Sequence, residues 1–213
     1  MKVRVLDPID RNSEILFGLF MVLTFTGTLS VATAGREDVG AMLLAALGCN
    51  TAWGLVDGVM FVLRSIVARG RQARLLRAVL EAGQPETAHG LIAREMGELS
   101  GAFGAPDFER ARQWLVARSV QEAPAAKLEQ RDLRGGLAVF LLVFASTFPP
   151  ILPFLIFSDL RVAMRWSAAI AISMMFVCGF EWGRYAGMKP LRAAAVMVLL
   201  GVSVEAIVIA LGG

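Results

Sequence analysis

The chain has 213 residues, of which 56% are hydrophobic, and a mean hydropathy of +0.63. That is too apolar for an ordinary water-soluble domain of this size. Its 21 Lys and Arg against 18 Asp and Glu leave a formal charge of only +3, and the way those bases are distributed reads as membrane topology, which excludes nucleic-acid binding as the source of the basic balance.

Five apolar runs, roughly 15–34, 39–63, 135–157, 162–180 and 191–211, each come near the ~20 residues a helix needs to cross a bilayer core. The expected fold is therefore all-α: a polytopic membrane protein with five transmembrane helices. Eighteen of the 21 basic residues fall at the amino end, between runs two and three, or between runs four and five. Only Arg36, Arg161 and Arg165 fall on the opposite side. This imbalance places the amino terminus in the cytoplasm and the carboxyl terminus outside. The expected location is a bacterial inner membrane.

The first run, behind Lys2, Arg4 and Arg11, also has the outline of a signal peptide ending at Ala32-Thr33-Ala34. It is long for a signal core, so a retained span is the preferred reading. Its face at helical spacing carries Glu14, Gly18, Met21, Thr24 and Thr28. The second run carries Asn50, Gly54, Asp57 and Arg64 on one face. An ionised aspartate at membrane depth costs at least ~2.5 kcal/mol, so Asp57 faces protein or water.

Counting from the cytoplasmic surface, Met21 lies seven residues beyond Glu14, about 10 Å, and Asp57 six residues from Leu63, about 9 Å. On that count the carboxylate, the thioether and the hydroxyls share one level, with Glu14 at the mouth. Such a ligand set suits a moderately soft divalent ion. The alternative is that Asp57 is neutralised by a partner and fixes packing, with Thr, Ser and Gly serving as close-approach surfaces. Cys49 and Cys178 fall inside runs without metal-ligand spacing and read as small buried hydrophobes.

Residues 64–134 form the soluble insertion, which divides the chain into 1–63, 64–134 and 135–213. Pro85, Pro106 and Pro124 stand where helices begin, and Gly83 and Gly104 where the preceding ones end. Leu75, Leu76, Val79 and Leu80, then Leu91, Ile92 and Leu99, then Phe108, Trp114, Leu115 and Val116 recur at helical spacing. The expectation is a cytosolic cap of three or four helices. It carries nine acids against twelve bases, with one tight pair, Glu95 and Glu98, three residues apart. On one helix face those carboxylates share a cation or form a solvated surface pair. His89, the single histidine, reads as a surface or packing residue.

The third run holds Pro149, Pro150 and Pro153. Prolines remove backbone donors and release carbonyls, which hydrocarbon tolerates only against protein or a water-filled cavity. The break is either a structural kink or part of a transport path. Glu205, near the outer end of the last run, is expected to pair with Arg161 or Arg165, and Glu181 to reach toward Arg184 or the interface. No histidine-rich cluster, phosphate-cradling loop or nucleophile–base pair is present, so an enzyme is not expected.

The segment Thr147-Phe-Pro-Pro-Ile-Leu-Pro-Phe154, the opening Ile15-Leu-Phe-Gly-Leu19, and the glycine and alanine placement from Leu191 through Gly201 to Gly213 resemble the vacuolar iron transporter family. The resemblance implies a homodimer that moves ferrous iron or a related divalent ion out of the cytosol against protons. It also implies a cytosolic domain that gathers metal on glutamates. Met21 stands where the family has an aspartate, and the paired glutamates are thinned. The transport path expected from these residues comprises Glu14, Met21, Thr24, Thr28, Asn50, Asp57, Pro149, Pro150 and Pro153, with Glu14, Met21, Asp57, Glu95 and Glu98 as metal ligands. No cofactor is expected beyond the transported cation, and the partners are the bilayer and a second copy. Transport of protons or a monovalent cation, or a non-transporting protein whose cap binds a partner, are the alternatives.

Overall fold

The computed structural model describes residues 6–29, 36–121 and 126–210. The described residues are helical, with no strand. In chain order the elements are α1 (Pro8–Leu29), α2 (Arg36–Glu81), α3 (Pro85–Met96), a 3-10 helix (Gly97–Ala102), α4 (Ala105–Gln121), α5 (Gln130–Ser146), α6 (Phe148–Ile156), α7 (Leu160–Tyr185) and α8 (Pro190–Ala210).

Two compact units emerge, one of residues 1–61 with 133–213 and one of residues 62–132. The apolar run after Val39 does not end its helix at Leu63: α2 continues to Glu81. Its second half is rich in Ala, Leu and Arg, strong helix formers, and has no proline to stop it. Pro85 opens α3 as expected, and Pro106 sits in the first turn of α4. Pro124 lies outside the described residues.

Among the described residues four helices are long and apolar enough to cross a membrane: Val39–Glu81, Gln130–Ile156 (α5 with α6), Leu160–Tyr185 and Pro190–Val208. In α1 the opening turns carry Asp10, Arg11 and Glu14, which leaves Ile15–Leu29 as its apolar part. At 1.5 Å per residue that part covers about 22 Å of a ~30 Å core. Large apolar side chains point outward from the spans, among them Leu55 and Val59 of α2 and Leu191, Leu199 and Ile207 of α8. An aqueous surround would penalise that surface; lipid does not.

In the first unit α1, α7 and α8 pack on one another around Leu16, Leu19, Leu23, Ala171, Met175 and Cys178. Glycines let α7 and α8 close. A Cβ at Gly179 would lie 2.9 Å from Ala194 Cα, and one at Gly183 would lie 2.8 Å from Pro190 Cα. At Gly201 the missing side chain leaves the notch that the Met175 thioether occupies. Helix α7 is capped at both ends. The Asp159 carboxylate accepts from Arg161 N (2.8 Å) and Val162 N (3.2 Å). At the other end Gly187, at φ +67, lets Met188 N return to the Gly183 carbonyl (3.0 Å).

The second unit is built on a separate small core. Val79 of α2 meets Ala88 and Ile92 of α3, with Phe108, Ala111 and Leu115 of α4 packed against them.

Candidate transport site

The proline segment is positioned by backbone approach between α2 and α5. A Cβ at Gly58 would lie 2.7 Å from the Gly136 carbonyl oxygen, and one at Gly54 would lie 3.2 Å from that of Phe140. Phe61 covers Gly135. Farther along, Asn50 Nδ2 donates to Thr147 Oγ1 (2.5 Å). The partners rise on one helix as they fall on the other, so α2 and α5 are antiparallel. Thr147 lies at the joint between α5 and α6, where its own N–H turns back to the Phe144 carbonyl (3.2 Å). Pro149 and Pro150 have no N–H, which leaves the carbonyls of Ala145 and Ser146 without their helical donors. Pro150 and Pro153 are buried and Pro149 half-buried.

Helix α1 joins the same place. A Cβ at Gly18 would lie 2.7 Å from the Val143 carbonyl oxygen and would collide with the Ser146 hydroxyl. Phe17 meets Trp53 edge to face at 5.8 Å. Gly18 and Gly54 therefore both border Val143, and this fixes the register of α1 against α2, which run in opposite directions.

Four residues before Gly18 is Glu14, and three after Gly54 is Asp57, so these two acids lie within about one turn of each other along the bundle. Three residues after Gly18 is Met21, and four before Gly54 is Asn50, so these stand level with each other and with Thr147. The seven residues from Asn50 to Asp57 separate the two levels by about 10 Å. By this register Asp57 lies nearer in height to Glu14 than to Met21, where counting residues from the surface puts Asp57 and Met21 side by side. Reckoning from the ends of the apolar runs missed this because α2 does not stop at Leu63.

Glu14, Met21, Thr24 and Asp57 are half-buried, and the two acids each engage a neighbour. The Thr24 hydroxyl donates to the Phe20 carbonyl (2.9 Å), so its proton is committed to its own helix. The side chain of Thr28 lies outside the described residues. Asn50 is 1% exposed and Thr147 fully buried. Thr147 also donates to the Val143 carbonyl (3.3 Å), and the Asn50 amide oxygen has no hydrogen-bond partner among the described residues. Two stacked levels result, one of carboxylates and one of neutral oxygen and sulfur groups.

In the second unit Glu95 ends α3 and Glu98 lies in the 3-10 helix, with Gly97 at φ +60 between them. The backbone reverses there, so the two do not share the helix face that their spacing suggests. Glu95 instead takes Arg71 (2.9 Å). His89 Nε2 is 2.9 Å from Glu109 Oε2, and Glu109 also receives Arg112 (2.7 Å) and Gln113 (2.9 Å). The Arg112 hydrogen bonds, then that of His89, hold the Glu109 carboxyl well below the usual range. Asp132, nearly fully buried, accepts from both Arg69 terminal nitrogens, at 2.9 and 2.5 Å, and from Glu129 N (2.8 Å). This pair joins residues 63 apart and has no local sequence signal. Among the described residues no group of three or more His, Cys, Asp or Glu side chains could hold a metal ion.

Glu181 pairs with Arg184 (3.0 Å), as its spacing suggests. Glu205 makes no ion pair with Arg161 or Arg165 among the described residues.

The model of the VIT family matches residues 64–213. A protein named vacuolar iron transporter from Centaurea cyanus is 23% identical over 203 residues, covering 88% of this chain and 81% of its own length. Vacuolar iron transporter 1 of Arabidopsis thaliana is 22% identical over 205 residues, covering 88% and 79%. With the family match extending over more than half of its length, the chain belongs to the VIT family.

Proposed function

We propose that this VIT-family membrane protein moves a divalent metal cation of the iron or manganese type out of the cytosol, in exchange for protons. The coarse reading, an integral membrane protein of a metal-ion transporter family and not an enzyme, follows from the family and the spans. The finer reading has five spans, with α1 as the first, the amino end in the cytoplasm, and the 62–132 unit on the cytosolic side as the division of basic residues favours. Two copies form the working unit.

The observation that carries the proposal is the acidic level of Glu14 and Asp57. Charged groups in apolar helices are costly and mark ion pathways by default. Two carboxylates within about one turn of each other on facing helices attract a dication from the cytosol. One level on, Met21, the Asn50 amide oxygen and the carbonyls freed by Pro149 and Pro150 offer neutral donors where the ion sheds water. In this arrangement Asp57 is the group on which transport depends most. Asn50 and Glu14 support it, and Thr28 belongs to the outer end of the path.

The test is uptake of Fe²⁺, Mn²⁺, Zn²⁺ and protons into proteoliposomes. Asp57→Asn keeps shape and removes charge. It is expected to remain monodisperse while transport falls at least about tenfold, equivalent to ~1.4 kcal/mol of lost interaction with the ion. Undiminished transport by a well-folded Asp57→Asn protein sinks the reading. If instead the variant unfolds, Asp57 is half of a structural pair.

A further inference from the structure

The apolar core shared by α1, α7 and α8 ends in polar residues on all three helices. On α1 the buried face runs Leu16, Leu19, Leu23 and then Thr26. On α7 it runs Cys178, Met175, Ala171 and then Ser167. On α8 it runs Ala194, Met197, Gly201 and then Glu205. Their register follows from the notch at Gly201, which takes the Met175 thioether and lies 3.7 Å from Leu23 Cδ1 when given a Cβ. Four residues beyond Gly201 on α8 is Glu205. Three beyond Leu23 on α1 is Thr26, at the same height. On antiparallel α7 the residue opposite is Ala171, with Ser167 one turn farther, about 6 Å along the axis.

Two of these groups are out of place in a plain packing surface. Ser167 is fully buried, and its hydroxyl has no hydrogen-bond partner among the described residues. Glu205 is half-buried within the span Pro190–Val208 and makes no ion pair or hydrogen bond among the described residues. Buried polar groups without partners are rare, and each needs an account. The Thr26 hydroxyl donates to the Val22 (3.0 Å) and Leu23 (3.2 Å) carbonyls, so toward the core end it offers only lone pairs.

We propose that Glu205, with Thr26 at its own height and Ser167 one turn farther toward the outer end, is a proton-binding site, in which Glu205 takes up and releases a proton, Ser167 serves both forms and Thr26 the acid form. A hydroxyl donates to a carboxylate and accepts from a carboxylic acid, so Ser167 suits either state of a Glu205 side chain extended toward it. Thr26 accepts from the acid form only. The guest is a proton and not a metal ion, because one carboxylate and two neutral hydroxyls fall short of the charge and ligand number a dication needs. A proton needs no cage, and it cancels the one charge that hydrocarbon disfavours.

On α7, Arg165 stands two residues outward of Ser167 and Arg161 farther out, both exposed and without an ion pair among the described residues, and Cys178 lies about two turns inward. On α1, Asp10, Arg11 and Glu14 stand at the opposite end of the core, as do Glu181 and Arg184 of α7 and Arg192 of α8. The step is a simple protonation of one carboxylate oxygen. In transport, which this inference takes from the reading above, it supplies the exchanged proton on the outer half.

The test is infrared spectroscopy of the full-length protein in lipid nanodiscs, paired with proteoliposome uptake. The carbonyl band of a protonated carboxyl is expected at neutral pH, absent in Glu205→Gln and titrating away as pH rises. Ser167→Ala, which removes one hydrogen bond, is expected to move that titration by about half to one pH unit. In proteoliposomes Glu205→Gln is expected to take up Mn²⁺ without response to an imposed pH gradient. A band that persists in Glu205→Gln, or gradient-driven uptake unchanged in that variant, overturns the proposal. An unmoved titration in Ser167→Ala removes the hydroxyl from the site. If the band behaves as expected but wild-type protein carries no dication, the transport reading falls and the proton site stands.

Discussion

The glycines pressed closely against another helix are concentrated in one of the two units. In the membrane-type unit glycine is a notch: Gly18, Gly54, Gly58, Gly179, Gly183 and Gly201 each face another helix where a Cβ would collide or press. In the 62–132 unit Gly83, Gly90, Gly97 and Gly101 have nothing within 4 Å of a built Cβ, and Gly97 is there for its positive φ. Charge divides the same way. The second unit pairs its acids openly, as Glu95 with Arg71 and Glu109 with Arg112, while the first keeps few charges in its spans and holds them by helix register. Water makes the difference. Where it is present, a side chain can be solvated and glycine is only punctuation. Where it is not, helices gain most from van der Waals contact, and small residues allow the closest approach.

The comparison is tested most severely at the buried Arg69–Asp132 pair in the second unit. Asp132→Asn leaves Arg69 without its main partner and is expected to lower the thermal midpoint more than any other change here. The Arg69 hydrogen bond holds the Asp132 carboxyl below its ordinary range. A depressed carboxyl contributes stability above the unfolded value near ~3.9 and loses it as pH falls through the folded value. Wild-type stability should therefore drop below about pH 4, and Asp132→Asn should show a shallower acid limb. A variant with an unchanged acid limb removes the pair from that role.

Next in size is Gly58→Val. Its Cβ would sit 2.7 Å from the Gly136 carbonyl oxygen, so α2 and α5 must separate. Overpacking of this kind costs about 1–3 kcal/mol. A detergent-solubilised variant that melts like wild type would deny that the stripe is a contact.

The smallest effect has the opposite sign. Gly90→Ala, in α3 with open space around it, should stabilise by about 0.5–1 kcal/mol, because alanine loses less freedom on entering a helix. Destabilisation there would mean that this glycine is also a notch, and the division between the units would dissolve.

The apolar runs, the Pro85 helix start and the proline-laden third segment were all legible in the sequence, because each is a local pattern of hydropathy or of missing donors. What escaped was relational. The Glu14–Asp57 level depends on which glycine of α1 and which of α2 border Val143. The Glu95–Glu98 face was lost to one positive φ at Gly97. Arg69 finds Asp132 across 63 residues, and neither position stands out from the surrounding arginines and acids. The residues with chemistry were largely visible; their heights along the bundle were not.

Met175, whose sulfur fills the space Gly201 leaves open, also has a consequence for ageing of the protein. Oxidation of a thioether adds an oxygen atom and turns an apolar group polar. The notch has room for neither, so oxidants reach the sulfur only when α7 and α8 part. The rate at which Met175 becomes sulfoxide under mild peroxide is then a chemical clock for how often that helix pair opens, and each tick leaves a mass tag that keeps it from closing again.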